Sequence, residues 1–178
     1  MTQAAIPELV VMIGLPGSGK STLAQQLAGA TGWPIVSTDA IRAQKFGDEA
    51  IQGAWPVIWR EVQRQLAEAV QTHQSVIYDA TNVVRRERRR ILRRGRELGF
   101  VTVTGLWLDV PLQVCLQRNG DRPRQVPEAV IARMHRRLVG APPNVLDGCD
   151  RLIRCVDSRE PWPLAFFQPQ NPATPSLR

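Results

Sequence analysis

The chain has 178 residues, of which 43% are hydrophobic and 22% are charged, values that are ordinary for one soluble globular domain. No apolar run approaches the roughly 20 residues of a membrane span, which excludes a transmembrane protein and predicts no membrane partner. The net charge of +7 favours an anionic partner, nucleic acid or nucleotide phosphates. Only two of the 23 basic residues are lysines, however, so the bias can equally reflect genome composition.

The N-terminal residues contain neither a charged n-region nor an apolar h-region, so we expect no signal peptide. The three cysteines form no C-x-x-C pair, which favours reduced, mostly buried thiols in a cytoplasmic protein. His73 and His135 lie far apart in the sequence and predict no metal-ligand cluster.

Apolar strand-like segments alternate with helical patterns along the chain. This alternation predicts an α/β fold, with a parallel sheet covered on both faces and ligands at the carboxyl ends of its strands. The predicted strands are 8–13, 34–38, 75–79, 101–108 and 151–156. The predicted helices are 20–29, 40–45, 56–72, 85–98, 111–118 and 127–139, with Pro56, Pro111 and Pro127 in first helical turns.

The first predicted strand leads into Gly14-Leu-Pro-Gly-Ser-Gly-Lys-Ser21, which fits the phosphate-loop pattern G-x-x-x-x-G-K-[ST]. Glycines let backbone N–H groups approach phosphate oxygens, the lysine reaches the β- and γ-phosphates, and the serine hydroxyl binds Mg²⁺. The helix at 20–29 points its N-terminal dipole at the phosphates. We therefore expect ATP and Mg²⁺ to bind here. The predicted nucleotide-binding residues are Gly14, Pro16, Gly17, Ser18, Gly19, Lys20, Ser21 and Thr22.

Asp39 and Arg42 follow the second predicted strand, in Ser-Thr-Asp-Ala-Ile-Arg. An aspartate at a strand end that faces the phosphates can accept a proton from a substrate hydroxyl. Arg42 lies three residues further, on the same helix face, where it can orient Asp39 and hold an acceptor phosphate. The alternatives are that Asp39 caps the helix at 40–45 and that Arg42 forms a surface ion pair.

Asp79 ends the third predicted strand, within Tyr-Asp-Ala-Thr-Asn. P-loop enzymes usually keep a carboxylate at this place to hold Mg²⁺ or its waters, so Ser21 and Asp79 are the predicted metal ligands. The alternative is that Asp79 caps the helix that starts near residue 85. Asn82 is expected to shape the intervening turn.

Arg118 and Arg122 flank an Asn-Gly turn that is expected after a short helix. Arginines on a hinged loop can close over a transferring phosphate, and one delivered to the developing charge can be worth about 10³–10⁵-fold in rate. The alternative is a basic, solvated loop.

In combination, four elements resemble the P-loop kinase domain of polynucleotide 5′-hydroxyl kinases of the phage type and their small bacterial single-domain relatives. They are the phosphate loop, D-x-x-R after strand two, D-A-T-N after strand three and R-N-x-x-R-x₄-P-E, spread over about residues 8–140. The resemblance implies the kinase-type strand order 2-3-1-4-5 and an arginine-bearing lid. It also implies transfer of the γ-phosphoryl group of ATP to a hydroxyl, foremost the 5′-OH of a polynucleotide. Asp39 then becomes the general base, and Arg122 a contact to the donor phosphates. The predicted catalytic residues are Lys20, Asp39, Arg42 and Arg122, with Arg118 binding the nucleotide.

Thr38 departs from the resemblance, because kinases of the phage type tend to carry a basic residue there that grips the acceptor's 3′-phosphate. Two rival interpretations therefore stay open. One is a kinase for a small molecule, such as a nucleoside, a sugar or another metabolite. The other is a nucleotide-binding regulatory module or slow ATPase, although such a module needs no acceptor base.

Two further features admit two interpretations each. The eight arginines within 85–96 can follow a phosphate backbone or form the charged outer face of a core-packed helix. Trp55 and Trp59, four residues apart, can stack on a base or pack in the core.

We assign residues 1–160 to one P-loop kinase domain and residues 161–178 to a proline-rich tail, which Phe166 and Phe167 can dock on the body. No motif marks the residues that contact the adenine base; the surroundings of Arg118 and the 157–160 segment are the expected source.

Overall fold

The computed structural model describes residues 6–48, 51, 53–156 and 166–167. Five parallel strands form one sheet in the order β2-β3-β1-β4-β5, which confirms the predicted order. The strands are β1 (Glu8–Ile13), β2 (Ile35–Ser37), β3 (Val76–Asp79), β4 (Thr102–Leu108) and β5 (Arg151–Cys155). The helices are α1 (Lys20–Thr31), α2 (Thr38–Phe46), α3 (Trp55–Gln71), α4 (Arg85–Leu98), α5 (Leu112–Gly120) and α6 (Glu128–Gly140), and a 3₁₀ turn spans Val145–Asp147.

Strand β1 lies at the centre of the sheet, between β3 and β4. Its residues 9–12 have no exposed surface, because a central parallel strand is flanked by strands at both edges and covered on both faces. The connections from β1 to β2 and from β3 to β4 cross the sheet in opposite directions. Since such crossovers are right-handed, α1 and α4 cover opposite faces, as the alternating sequence pattern predicts.

The junction of β2 and α2 differs from the predicted one. Strand β2 ends at Ser37 and α2 begins directly at Thr38, so no loop separates them. The Oγ atom of Ser37 accepts a hydrogen bond from the backbone N–H of Ala40 at 3.4 Å and caps the helix. Asp39 lies in the first turn of α2, so the alternative in which Asp39 caps that helix is wrong.

Of the three prolines that are predicted in first helical turns, one lies there and two lie one residue earlier. Pro56 is the second residue of α3, as expected for a first turn. Pro111 and Pro127 lie one residue before α5 and α6, with ψ angles of 141° and 133°. Pro111 and Pro127 are therefore N-cap residues, which precede the first helical residue. An N-cap residue has an extended ψ angle, and the fixed φ of proline is compatible with it.

A buried carboxylate joins α2 to α3. Glu61 accepts hydrogen bonds from Arg64 Nη2 at 2.7 Å and from Gln65 Nε2 at 2.9 Å, and lies 3.4 Å from the ammonium of Lys45 on α2. The hydrogen bonds from Arg64 and Gln65, aided by the nearby charges, lower the pKa of Glu61 to about 2. The ion pair with Lys45 links the second turn of α3 to the last turn of α2, the helix that carries Asp39.

Phe166 and Phe167 are the described residues of the proline-rich tail. Phe167 is buried and packs edge-on against Trp33, with ring centroids 6.0 Å apart, and the guanidinium of Arg151 lies 5.6 Å from the centre of its ring. Phe166 is exposed. Phe167 therefore docks on the body as predicted, whereas the rest of 161–178 and the 157–160 segment lie outside the described residues.

Within the described part of the chain, no helix has both the length and the apolar surface that a bilayer crossing requires.

Candidate active site

The phosphate loop joins β1 to α1 and packs tightly against its neighbours. Gly17 has a φ of 80°, and a Cβ atom at this position would lie only 2.2 Å from the carbonyl oxygen of Cys115 on α5. The backbone N–H of Gly14 donates to the carbonyl of Thr81, after β3, at 3.0 Å. Both the conformation and the space at residue 17 require glycine. The sequence contains no signal for the close approach of Cys115 or for the hydrogen bond to Thr81, because both involve backbone carbonyls.

Lys20 opens α1 with its side chain buried. Its Nζ donates to the carbonyl of Leu15 at 2.7 Å. Burial lowers the pKa of the ammonium to about 8; the charges of Asp79 and Asp39 oppose this shift, and the charge of Arg122 adds to it. An ammonium has three donors, so this one keeps donors for phosphate oxygens.

Ser21 and Asp79, the predicted metal ligands, are brought together. The hydroxyl of Ser21 donates to Oδ2 of Asp79 at 2.7 Å, where the start of α1 meets the end of β3. Helix α4 is preceded by Val84 and has no side-chain cap, so the alternative in which Asp79 caps that helix is wrong. A hydroxyl and a carboxylate are the oxygen ligands that Mg²⁺ prefers.

Asn82 shapes the turn after β3, as predicted. It adopts a positive φ of 50°, and its Nδ2 donates to the carbonyl of Met12 at 2.7 Å. This hydrogen bond ties the turn to β1, next to the phosphate loop.

The phosphate loop also contains an unsatisfied polar atom. The hydroxyl of Ser18 is buried and has no hydrogen-bond partner among the described residues. Together with the remaining donors of Lys20 and the pair of Ser21 and Asp79, this hydroxyl fits a site for the phosphates and metal of Mg²⁺–ATP.

Asp39 and Arg42 form an ion pair in the first turns of α2. The Nη1 atom of Arg42 lies 2.5 Å from Oδ1 of Asp39. The side chain of Asp39 is 56% exposed, whereas that of Arg42 is only 15% exposed. Arg42 is therefore a fixed support, and the carboxylate that it orients stays open to an incoming molecule. The charge of Asp39 raises the pKa of Lys20, which places this carboxylate within electrostatic reach of the phosphate loop.

Arg118 and Arg122 lie at the end of α5 and on the loop that follows. Helix α5 continues to Gly120, so the predicted Asn-Gly turn is wrong, and Asn119 is a buried helical residue. The side-chain amide of Asn119 bridges to Val126: Nδ2 donates to its carbonyl, and Oδ1 accepts from its N–H, both at 2.9 Å.

The charges of these two arginines reach the phosphate loop from different places. Arg122 is exposed, and its charge contributes to the lowered pKa of Lys20. Arg118 is half-buried; burial raises the pKa of the Cys115 thiol, and the charges of Lys20 and Arg118 oppose that shift. The charges of both arginines therefore act on residues at or next to the phosphate loop.

Helix α4 packs on the core and is also strongly basic. Arg88 is completely buried: its Nε and Nη2 donate to Oδ2 of Asp147 at 3.1 and 3.0 Å, and Nη2 also reaches the carbonyl of Ala141 at 2.7 Å. Its Nη1 donates to the carbonyls of Val83 and Asn82 at 3.1 and 3.3 Å. The core-packed interpretation of this helix is confirmed, although the sequence does not single out Arg88. The exposed arginines of α4 are Arg85, Arg86, Arg89, Arg90, Arg93 and Arg96.

A family model described as an AAA domain (AAA_33) matches residues 9–141. The chain belongs to this family. The match begins in β1 and extends just past α6, so it includes the phosphate loop, the pair of Asp39 and Arg42, Asp79 and the loop of Arg122.

Three proteins that are similar to this chain in sequence or in structure agree with the fold described above. Shikimate kinase from Corynebacterium glutamicum is 28% identical over 135 residues, which cover 72% of this chain and 75% of that protein. A chain of the Pnkp1/Rnl/Hen1 RNA repair complex is similar with a TM-score of 0.69 and 22% identity, over 78% of this chain but only 46% of that one. A gluconokinase from Sinorhizobium meliloti 1021 is similar with a TM-score of 0.57 and 20% identity, over 91% of this chain and 87% of that one. At these identities the structures share the P-loop kinase fold.

Proposed function

We propose that this protein is an ATP-dependent kinase that transfers the γ-phosphoryl group to the 5′-hydroxyl of a polynucleotide. The observation that carries the proposal is the pair of Asp39 and Arg42. It supplies an oriented and accessible carboxylate after the carboxyl end of β2, at the edge of the parallel sheet where the phosphate loop also lies. A nucleotide switch or simple ATPase needs no such acceptor base. In a phosphotransferase, a positioned base contributes about 10²–10⁴-fold to the rate.

On the donor side, the N–H groups of the phosphate loop and the ammonium of Lys20 would hold the β- and γ-phosphates. Ser21 and Asp79 would hold Mg²⁺, which neutralises charge on the phosphates. Arg118 and Arg122 would approach from the α5 side, where their charges already act near Lys20 and Cys115.

On the acceptor side, Asp39 would accept the proton of the substrate hydroxyl. As that oxygen bonds to the γ-phosphorus, the bond to the bridging oxygen breaks and ADP leaves. Arg42 would keep Asp39 aimed at the hydroxyl. The chemistry is positioning and charge neutralisation, without a covalent intermediate on the protein.

Three features favour a polynucleotide as the acceptor. The chain carries a net charge of +7, and α4 presents exposed arginines beyond those that pack inward. Cations of this kind bind phosphate backbones without sequence preference. The sequence also resembles polynucleotide 5′-hydroxyl kinases through D-x-x-R, D-A-T-N and R-N-x-x-R-x₄-P-E.

A small-molecule kinase is the second candidate. Thr38, which precedes Asp39, is buried and supplies no cation for an acceptor phosphate. The relative from Corynebacterium glutamicum is named for shikimate, a compact acceptor.

The deciding experiment is incubation of the full chain with γ-labelled ATP, Mg²⁺ and a panel of acceptors: 5′-OH oligonucleotides, nucleosides, shikimate and gluconate. We expect label on the oligonucleotides, and a loss of about 10²–10⁴-fold in its rate of transfer in Asp39→Asn. Asp48→Asn is the matched control, because Asp48 is exposed and follows the C-terminal end of α2.

The other outcomes separate the alternatives. Label on shikimate, gluconate or nucleosides but not on oligonucleotides would favour the small-molecule kinase. ATP hydrolysis that no acceptor stimulates and that Asp39→Asn leaves unchanged would contradict a kinase and favour a regulatory module.

A further inference from the structure

Two tryptophans and an arginine form a stacked column outside the phosphate site. The rings of Trp55 and Trp59, at the start of α3, are nearly parallel, with an interplanar angle of 22° and centroids 6.3 Å apart. The guanidinium carbon of Arg90, on α4, lies 4.2 Å from the centre of the Trp59 ring, a cation–π contact. We call these three side chains the stacked column.

The column is closed at one end and open at the other. Trp59 is half-buried, packs against the hydrophobic core and contacts both other members. Trp55 is 39% exposed and extends the column into solvent. A tryptophan pair in a core would be covered at both ends, so the core interpretation fails for Trp55. Its supported, water-exposed indole has the geometry on which a nucleobase stacks.

The column also lies on the Asp39 side of the sheet. Helix α3 is fixed to α2 by the ion pair of Lys45 and Glu61, and α2 carries the proposed base. Tyr78, the buried residue before Asp79, is an electrostatic link between Arg90 and the site. Burial raises the pKa of Tyr78, and the charges of Glu87, Arg42, Asp79 and Arg90 all act on it.

Charge around the column matches a polyanion. Arg86, Arg90 and Arg93 are exposed and follow each other at four and three residues, so they share one face of α4. That face therefore offers cations for phosphates on the helix whose Arg90 contacts the column, and Arg93 also pairs with Glu97 at 3.5 Å. A shikimate or gluconate acceptor has no base for Trp55 to stack on.

We propose that Trp55 is the stacking platform for a nucleobase at the 5′ end of the acceptor polynucleotide. Trp59, which Arg90 contacts in turn, supports its ring, and the arginine face of α4 follows the adjoining phosphates. The inference rests on the proposed kinase function and adds to it a group that recognises the base of the acceptor.

The test is a binding experiment that does not depend on turnover. Fluorescence anisotropy of a 3′-fluorescein-labelled 5′-OH DNA octamer is measured on the full chain, with Mg²⁺ and a non-hydrolysable ATP analogue. A second octamer carries abasic sites at its two 5′-terminal positions. The variants are Trp55→Ala, Trp55→Phe and Val57→Ala, a control at an exposed residue two positions along the same helix.

The stacking of one base predicts that Trp55→Ala weakens binding of the normal octamer by about 5–100-fold. Trp55→Ala should bind the abasic octamer as the wild type does. Trp55→Phe should keep most of the preference for the normal octamer, because a phenyl ring still stacks, and Val57→Ala should change neither affinity. A thermal melt of each variant confirms that it is folded.

The remaining outcomes are decisive as well. Equal binding of both octamers by the wild type, or equal losses for both in Trp55→Ala, would overturn the platform and leave the kinase proposal standing. A wild type that binds no octamer would overturn it too, with the small-molecule kinase still open. Base-dependent binding through Trp55, combined with no transfer to any acceptor, would support the platform and overturn the kinase proposal.

Discussion

Lys20 at the phosphate loop and Arg88 in α4 are both buried cations, but their surroundings differ. Arg88 donates to the carboxylate of Asp147 and to three backbone carbonyls. Lys20 donates to one carbonyl, that of Leu15, and no carboxylate lies within hydrogen-bond distance of it among the described residues. Burial lowers the pKa of both side chains. The protein thus supplies Arg88 with its partners and leaves Lys20 without a counter-ion in direct contact.

This difference separates a structural cation from a binding one. A buried charge with few partners destabilises the fold, and a ligand that completes its contacts removes that destabilisation. A buried charge with a full set of partners gains nothing from a ligand. On this basis Arg88 holds α4 to the turn at Asp147, and Lys20 is available to phosphate.

The largest effect is expected on stability, in Arg88→Met. The substitution removes the buried partner of Asp147 Oδ2 and leaves this carboxylate to Arg85, a half-exposed residue whose Nε lies 2.8 Å from Oδ1. The free energy of unfolding should therefore fall by about 3 kcal/mol. Urea denaturation at pH 7.5 measures this change. Arg89→Met, at the exposed neighbouring residue, should stay within about 0.5 kcal/mol of the wild type. If Arg88→Met lowered the free energy of unfolding by less than about 1 kcal/mol, Arg88 would not be the structural cation that the comparison with Lys20 requires.

Lys20→Met should lower activity without lowering stability, the reverse of what is expected for a structural cation. We expect phosphoryl transfer to fall by at least about 10²–10³-fold, because a buried donor to the transferring group is lost. The stability of the nucleotide-free protein should stay the same or rise, since a desolvated ammonium is removed. Transfer assays and the same urea series check both parts, with Arg136→Met, at an exposed residue of α6, as the control. Destabilisation as large as that of Arg88→Met would mean that Lys20 is structural.

The smallest effect is a dependence of ATP affinity on pH. The pKa of Lys20 lies below its ordinary value, so the folded protein loses this proton near pH 8, while the unfolded chain keeps it to about pH 10.5. Stability without nucleotide should therefore rise with pH across this window. The affinity for Mg²⁺–ATP should be steady below about pH 7.5 and then fall, by at most tenfold per pH unit, because phosphate binds the charged amine.

Calorimetry at pH 8.5, in two buffers with different ionisation enthalpies, should detect proton uptake on ATP binding. In Lys20→Met this uptake should disappear. Equal binding enthalpies in both buffers for the wild type would show that Lys20 is already charged before the nucleotide arrives.

The sequence predicts the two regions unequally, for physical reasons. At the phosphate loop, each position needs a residue type that few others can replace, such as glycine where a Cβ atom would meet the Cys115 carbonyl. The five strands follow from apolar runs with helices between them, whereas their order is implied by the resemblance to P-loop kinases. The contacts of Asp39 with Arg42 and of Ser21 with Asp79 follow from helix spacing and from where strands end.

Arg88 was missed because its partner lies 59 residues away in the sequence. One signal for it exists: Arg88 falls on the same helical stripe as Ile91, Leu92 and Gly95, which are all buried. Asn119 was misinterpreted for a similar reason. Asn-Gly indicates a turn, but the hydrogen bonds to Val126 hold the side chain inward and the helix continues. Both errors concern polar side chains whose conformation is decided by tertiary contacts.

The bridge from Asn119 to Val126 has a consequence for the segment between them, which carries Arg122. Its two hydrogen bonds join the two ends of a short loop, so residues 121–125 form a tethered loop rather than an open linker. A loop whose two ends are already held together by hydrogen bonds has fewer conformations to lose when it orders over a ligand. In the proposed kinase, much of the entropic penalty for bringing Arg122 to a bound phosphate would therefore be removed during folding, before any nucleotide arrives.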